Sequence, residues 1–225
     1  MKTAVLSDIH SNLPALIAVK KEIDEMDPEL VVCAGDTVGY GASPNECCSL
    51  LARWADHACL GNHDAAALYE SSTGMNPYAA KAAAWTAAVL EESSRKYLHS
   101  LAESARFRRE GKDFALHHGS LTSIWEYLFE DDISESILDE AGAQILIFGH
   151  THVPYVRRYP GGLVVNPGSV GQPRDGNPKA SYAVMDTDGP QAEIRRVEYD
   201  IDAAADAILN AGLPDMLAER LFRGH

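Results

Sequence analysis

MKTAVLSDIHSNLPALIAVKKEIDEMDPELVVCAGD, residues 1–36, holds a complete strand–helix–strand unit. Thr3 to Ser7 reads as a short strand. Leu16, Val19, Ile23 and Met26 then recur at helical spacing, which predicts an amphipathic helix from about Leu13 to Met26. Leu30 to Ala34 is a second apolar run, closed by Gly35-Asp36. Apolar runs alternating with helical periods are the pattern of an α/β fold with parallel strands.

Outward from this unit the alternation continues. Ser43-Pro44 starts a helix, with Ser43 as N-cap and Pro44 at the first helical position. Ala58-Cys59-Leu60 is a third short strand, ended by Gly61-Asn62-His63-Asp64. Glu70 to Pro77 is a polar connection. An alanine-rich helix over Tyr78–Leu90 follows, then a second through Leu101 with Ser93 as its cap. From Arg106 onward the pattern turns to strands, at Phe114–His117, Gln144–Phe148, Tyr155–Tyr159, Leu163–Asn166, Ser181–Asp186 and Gln191–Val197. Two helices near Ile201–Asn210 and Leu213–Leu221 follow. With no internal repeat or linker, residues 1–225 are expected to form one domain.

Composition narrows the function classes. The net charge of −14 supplies no basic stripe, so binding to a nucleic-acid backbone is not expected. No apolar run approaches the roughly 20 residues of a membrane helix, and Thr3 to Leu6 is too short for a secretory apolar region. A cytoplasmic protein with no membrane partner is the expectation. Its four cysteines fit, since they lack zinc-site spacing and read as free, buried thiols.

Five polar clusters each follow a predicted strand. They are Asp8-Ile9-His10, Gly35-Asp36, Gly61-Asn62-His63-Asp64, His117-His118-Gly119 and Gly149-His150-Thr151-His152. The carboxyl ends of parallel strands converge on one crevice, so residues far apart in sequence meet there. Asp, Asn and His are oxygen and nitrogen donors suited to manganese, iron or zinc. A lone Gly-Asp is usually a turn, and His-x-His is the strongest single piece, since residues two apart on an extended segment face the same way. Their joint placement makes coincidence a poor explanation.

The series Asp8-x-His10, Gly35-Asp36, Gly61-Asn62-His63-Asp64, His118 and Gly149-His150-x-His152 resembles the signature of calcineurin-like metallophosphoesterases. Gly39-Tyr40-Gly41, Pro44-Asn45-Glu46 and Asn166 to Arg174 are similar to segments of that superfamily's small prokaryotic phosphodiesterase branch, as is the close from Leu213-Pro214 to Leu221. The resemblance implies a four-layer sandwich of two mixed sheets flanked by helices. It implies two divalent ions, manganese first, with iron, zinc, nickel or magnesium as alternatives. Asp8, His10 and His152 would hold one ion, and Asn62, His118 and His150 the other, with Asp36 as bridge. His118 rather than His117 is chosen on the family pattern. His63 would stand by the substrate, its ring oriented by Asp64.

Such a pair of ions clamps a phosphoryl group and supplies an attacking hydroxide. Two divalent ions less two carboxylates leave a local charge of about +2, so the site attracts phosphate although the chain is acidic. The implied activity is hydrolysis of a small phosphodiester, nucleotide-like ones included.

 The rival reading is a phosphomonoester or phosphoprotein phosphatase using the same ions. A non-catalytic scaffold, as in the retromer subunit of this fold, is disfavoured because such proteins lose metal ligands or the catalytic His. Arg174 is the only obvious basic side chain in the motif loops, and that scarcity favours a singly charged diester.

Several residues carry two readings each. Asn12 faces the site or caps the helix from Leu13, and Arg174 touches substrate or braces its loop. Trp54, Trp85 and Trp125 read as core, and His57, His99 and His225 as surface. The segment Tyr78 to Leu101 is the candidate lid or homo-oligomer face, with plain packing as the simpler role.

Overall fold

The computed structural model describes residues 1–189 and 191–225. The first sheet opens with β1 (Lys2–Leu6), which leads through α1 (Leu13–Met26) to β2 (Leu30–Cys33). The chain then runs through α2 (Pro44–Trp54), β3 (His57–Ala58), α3 (Asn62–Tyr69), α4 (Pro77–Val89) and α5 (Glu92–Ser100). A second sheet is built from β4 (Ser104–Arg109), β5 (Lys112–His117), β6 (Ile145–Ile147), β7 (Tyr155–Tyr159) and β8 (Gly162–Asn166), with α6 (Ser136–Ala141) before β6. β9 (Ala180–Asp186) and β10 (Gln191–Val197) return to the first sheet, and α7 (Ile201–Asn210) and α8 (Asp215–Glu219) follow.

Both sheets have five strands and both are mixed, in the orders β10-β9-β1-β2-β3 and β4-β5-β6-β8-β7. In each, a parallel trio (β1-β2-β3, and β5-β6-β8) is extended by antiparallel neighbours. The two-residue side-chain period sorts the strands into layers. Val5, Val32, Phe114, Leu116, Ile145, Ile147 and Val165 fill the space between the sheets. Ala4, Leu6, Val31 and Cys33 face outward onto Leu16, Val19 and Ile23 of α1 and Leu51 of α2. On the far side, Ala115, Leu146 and Val164 pack against Ile137 and Leu138 of α6. Strands covered on both faces read as unbroken apolar runs, which is why β1 and β2 showed no alternation. The architecture is the expected sandwich.

Local differences from the sequence expectation have local causes. The third strand is the pair His57–Ala58, and Cys59-Leu60 lie beyond it. Asn62-His63-Asp64 form the first turn of a helix that the sequence reading did not place, because Asp64 accepts from the Gly61 N–H and starts α3. α5 begins at Glu92, so Ser93 lies inside it and is not its cap. Ser43 holds the N-cap position of α2, but its side chain makes no capping bond. Asn12 is a cap: its Oδ1 accepts from Ala15 N and its Nδ2 donates to Gly171 O. β4, which carries three arginines in a six-residue edge strand, was hidden by its polarity.

All four cysteines are free and buried. His57 is half-buried and stacks on Phe107 at 3.8 Å, contrary to a plain surface position. Among the described residues no helix is long and apolar enough to cross a membrane.

Candidate metal centre

The loops leaving β1, β2, β5 and β6 turn sharply, and their polar side chains are buried. Asp8, His10, Asp36, His150 and His152 all have φ between 50° and 65°. Left-handed backbone in non-glycine residues is strained, and such strain gathers at functional sites. Close backbone approach makes the crowding workable. A Cβ at Gly61 would lie 2.0 Å from Asp36 Oδ1, and one at Gly149 would lie 2.0 Å from Ser7 Oγ. Any side chain at either position would push apart the loops that carry the carboxylates.

Hydrogen bonding fixes which ring nitrogens face inward. Nδ1 donates to Val38 O in His10, to Gln172 O in His152 and to Ala34 O in His118, at 3.2, 2.5 and 2.8 Å. With the Nδ1 proton committed to a carbonyl, each Nε2 presents a lone pair to the interior. The Nε2 atoms of His10 and His152 face each other at 3.0 Å. His150 is the reverse: Nε2 donates to Trp125 O at 3.3 Å, leaving Nδ1 as the inward atom.

Three groups of ligand atoms lie within 4.8 Å of one another: Asp8, His10 and His152; His10, Asp36 and His63; and Asp36, His118 and His150. Asn62 joins the last group through Oδ1, 3.0 Å from His118 Nε2. His150 and His152 therefore point into different groups. The expectation that a two-residue step on an extended segment aims both alike does not hold, because both residues are left-handed.

The carboxylates supply the test of fit to cations. Asp8 Oδ2 accepts from Ser7 Oγ at 2.6 Å and from His150 N at 3.0 Å, while Asp36 Oδ1 accepts from His63 N at 2.8 Å. The other oxygens, Asp8 Oδ1 and Asp36 Oδ2, are buried without a hydrogen-bond partner. A buried charged oxygen left unpaired is costly, and a cation removes that cost. Burial opposes ionisation of Asp8, yet the neighbouring His152 and His10 hold its carboxyl well below the usual range. The same opposition ends the same way at Asp36, where His118 and His63 prevail. Burial lowers His152 to about 3, with Arg174 adding to the effect, and lowers His150 to about 4, with His118 adding. Neutral imidazoles and ionised carboxylates are the metal-binding forms. His118 is the exception, raised to about 9 because Asp36 outweighs its burial.

His63 lies against Tyr40, ring centroids 4.4 Å apart, with its Nδ1 buried and unpartnered. Burial drives its pKa well down. Asp64 does not orient this ring, contrary to the sequence expectation. Its Oδ1 accepts from Val38 N at 2.9 Å and its Oδ2 from Gly61 N at 3.0 Å. Its work is to tie the loop after Asp36 to the start of α3. Its carboxyl, buried and facing Asp36, is pushed up to about 7.

His117 lies outside the cluster, on the side of its strand facing Phe148. Trp125 is 41% exposed rather than core, and Tyr127 beside it stacks on His150 at 4.0 Å. Arg157 is paired with Glu130, and both it and Arg158 are exposed. Sequence reasoning missed Ser7, Tyr127 and Arg220. Arg220 stands beside Tyr40 with Arg174, so Arg174 is not the sole cation near the cluster.

Residues 1–190 match the calcineurin-like phosphoesterase superfamily domain. The uncharacterized protein MJ0912 of Methanocaldococcus jannaschii is 40% identical, over 98% of this chain and 97% of its own length. The crystal structure of a metallophosphoesterase from Sphaerobacter thermophilus is 35% identical, with a TM-score of 0.87 over 100% of this chain and 99% of that one. The phosphodiesterase YfcE of Escherichia coli is 27% identical over 84% of this chain and 89% of its own. With its strand-end cluster of buried histidines and carboxylates, the chain belongs to the calcineurin-like phosphoesterase superfamily.

Proposed function

We propose that the chain hydrolyses small phosphodiesters at a centre of two divalent metal ions, with manganese as the native metal. The observation that carries this is the pair of orphaned oxygens, Asp8 Oδ1 and Asp36 Oδ2, set among ring nitrogens whose partner nitrogens are already committed. Asp8, His10 and His152 would hold one ion and Asn62, His118 and His150 the other. Asp36 would serve both, since its Oδ2 lies 3.3 Å from His118 Nε2 and 3.6 Å from His10 Nε2. When bound, such ions polarise phosphoryl oxygens and acidify water.

The protein's own groups do the rest. Gly39 closes off His63 Nδ1, since a Cβ there would sit 2.7 Å from it. That leaves Nε2 as the atom to carry a proton to the departing oxygen. A bound phosphate beside His63 favours the protonated ring that burial otherwise disfavours.

The diester reading draws on the similarity to YfcE and on the charge of the cluster. Among the described residues no lysine or arginine side chain bonds directly to the candidate ligands, which suits a singly charged phosphate. A phosphomonoesterase is the second reading, favoured by the two arginines near Tyr40. Comparing kcat/KM for bis-p-nitrophenyl phosphate and p-nitrophenyl phosphate at one metal and pH separates them. The diester should be preferred, and a clear preference for the monoester would make the second reading the better one.

A further inference from the structure

Tyr40 sits between the proposed metal ligands and a pair of cations. Its ring centroid is 4.7 Å from that of His10 and 4.4 Å from that of His63. The Arg174 and Arg220 guanidinium carbons lie 5.7 and 5.8 Å from the same ring. Arg174 comes from the loop between β8 and β9, and Arg220 from the turn after α8, so two distant segments bring like charges to the Tyr40 ring.

Neither guanidinium is paired with a side-chain carboxylate among the described residues. Arg174 Nη2 donates to Tyr40 Oη at 3.3 Å and to Gln172 Oε1 at 3.0 Å, and its Nε is buried without a partner. Arg220 Nε donates to a backbone oxygen of His225, the last residue of the sequence. Among the described residues neither is ion-paired with an aspartate or glutamate, whereas Arg157, Arg195 and Arg196 are. In a chain of net charge −14 carboxylates are plentiful, yet among the described residues no Asp or Glu side chain pairs with either arginine. Burial lowers the Arg220 pKa, and the nearby Arg174 lowers it further. Two guanidinium groups beside one ring at the edge of a phosphoester site have no side-chain carboxylate partner, and phosphate offers them bidentate, charge-assisted bonds.

We propose that Arg174 and Arg220 form a subsite for a second phosphate of the substrate. The preferred substrates are then phosphodiesters carrying another phosphate a few bonds from the scissile one. This rests on the phosphodiesterase reading, and it reconciles that reading with the arginines. The cluster itself receives the singly charged diester, and the second phosphate sits beyond Tyr40. A purely bracing role, in which the arginines only hold the Gln172 loop and the segment ending at His225, predicts no such preference.

The test has a binding arm and a hydrolysis arm, both on metal-loaded protein. Calorimetric affinity for thymidine 3′,5′-bisphosphate is compared with that for thymidine 5′-monophosphate. Hydrolysis of the 5′-p-nitrophenyl ester of thymidine 5′-phosphate is compared with that of its 3′-phosphorylated counterpart. Charge-assisted bonds to the second phosphate should give the wild type a preference of roughly 10–100-fold in both arms. Arg174→Gln and Arg220→Gln should each cut that preference severalfold, and Arg220→Lys should restore part of it. Equal affinity for the two nucleotides in the wild type overturns the subsite, whatever the variants do. If the binding preference is present but neither ester is hydrolysed, the subsite stands and the phosphodiesterase reading fails.

Discussion

The two halves of the centre are held in different ways. Around Asp8, both rings are tied to interior backbone, His10 to Val38 O and His152 to Gln172 O, and the carboxylate is gripped by Ser7 Oγ and the His150 N–H. Around His118 the grip is mixed. His118 is tied to buried Ala34, but His150 leans on Trp125 O at 3.3 Å, in a loop whose Trp125 and Tyr127 are 41% and 49% exposed. A ligand oriented by buried partners binds without reorganising, whereas one oriented by an exposed loop must first be ordered. The two positions are therefore expected to differ in affinity, with the His150 side the weaker.

The largest effect should come from Asp36, which touches both halves. Asp36→Asn should lower metal content at both positions and cut turnover by on the order of 10³-fold or more, since each ion contributes several kcal/mol. Elemental analysis of the purified variant checks this, and unchanged two-ion content would refute the bridging role. His152→Ala should instead deplete chiefly the Asp8 half.

His63 tests chemistry apart from metal binding. His63→Ala should keep both ions and lose roughly 10²–10⁴-fold in turnover, with a smaller loss for nitrophenolate leaving groups that need no proton. Lost metal with equal defects on good and poor leaving groups would contradict the assignment.

A smaller effect sharpens the contrast between the halves. Tyr127→Ala removes the ring stacked on His150 and should weaken the second ion by about 10-fold, the low end for groups that orient a metal ligand. The first ion should be unaffected in a competition titration. Equal weakening of both would erase the distinction.

The pH response of the metal-free protein is smaller still. His150 and His152, lowered to about 4 and 3, stay neutral when folded, while unfolded histidine protonates near pH 6.5. Their contribution is present above that value and is lost as pH falls toward 4. His63, lowered by burial, acts in the same sense. Asp64, raised to about 7, acts in the opposite sense and offsets part of the loss. The melting temperature of the chelated protein should fall between pH 6.5 and 4. A rise over that window would contradict the neutral, buried state of these rings.

Much of this centre was legible because its residues end apolar strands. Asp8, Asp36, His118 and His150 each follow a run buried on both faces, and the parallel trios bring those runs to one edge. The outer pieces were harder. α3 begins inside the Asn62-His63-Asp64 cluster and is nearly all buried, so it has no amphipathic period to read. The resemblance assigned Asp64 to the His63 ring, but the N–H of Val38 and that of Gly61 at the start of its own helix claim its two oxygens. Arg220 and Tyr127 reach the site only through tertiary packing. Arg220 lies in the closing segment that resembles the phosphodiesterase branch, but that resemblance gave it no role, and nothing around Tyr127 signals one.

Metal stoichiometry tied to activity tests the central claim most directly. Protein stripped by a chelator is titrated with Mn²⁺ in a calorimeter, and hydrolysis of bis-p-nitrophenyl phosphate is followed at each ratio. Two ions per chain should bind with unequal affinity, and hydrolysis should rise with occupancy of the weaker position. Full hydrolysis by metal-free protein, or with a single ion bound, would contradict the account.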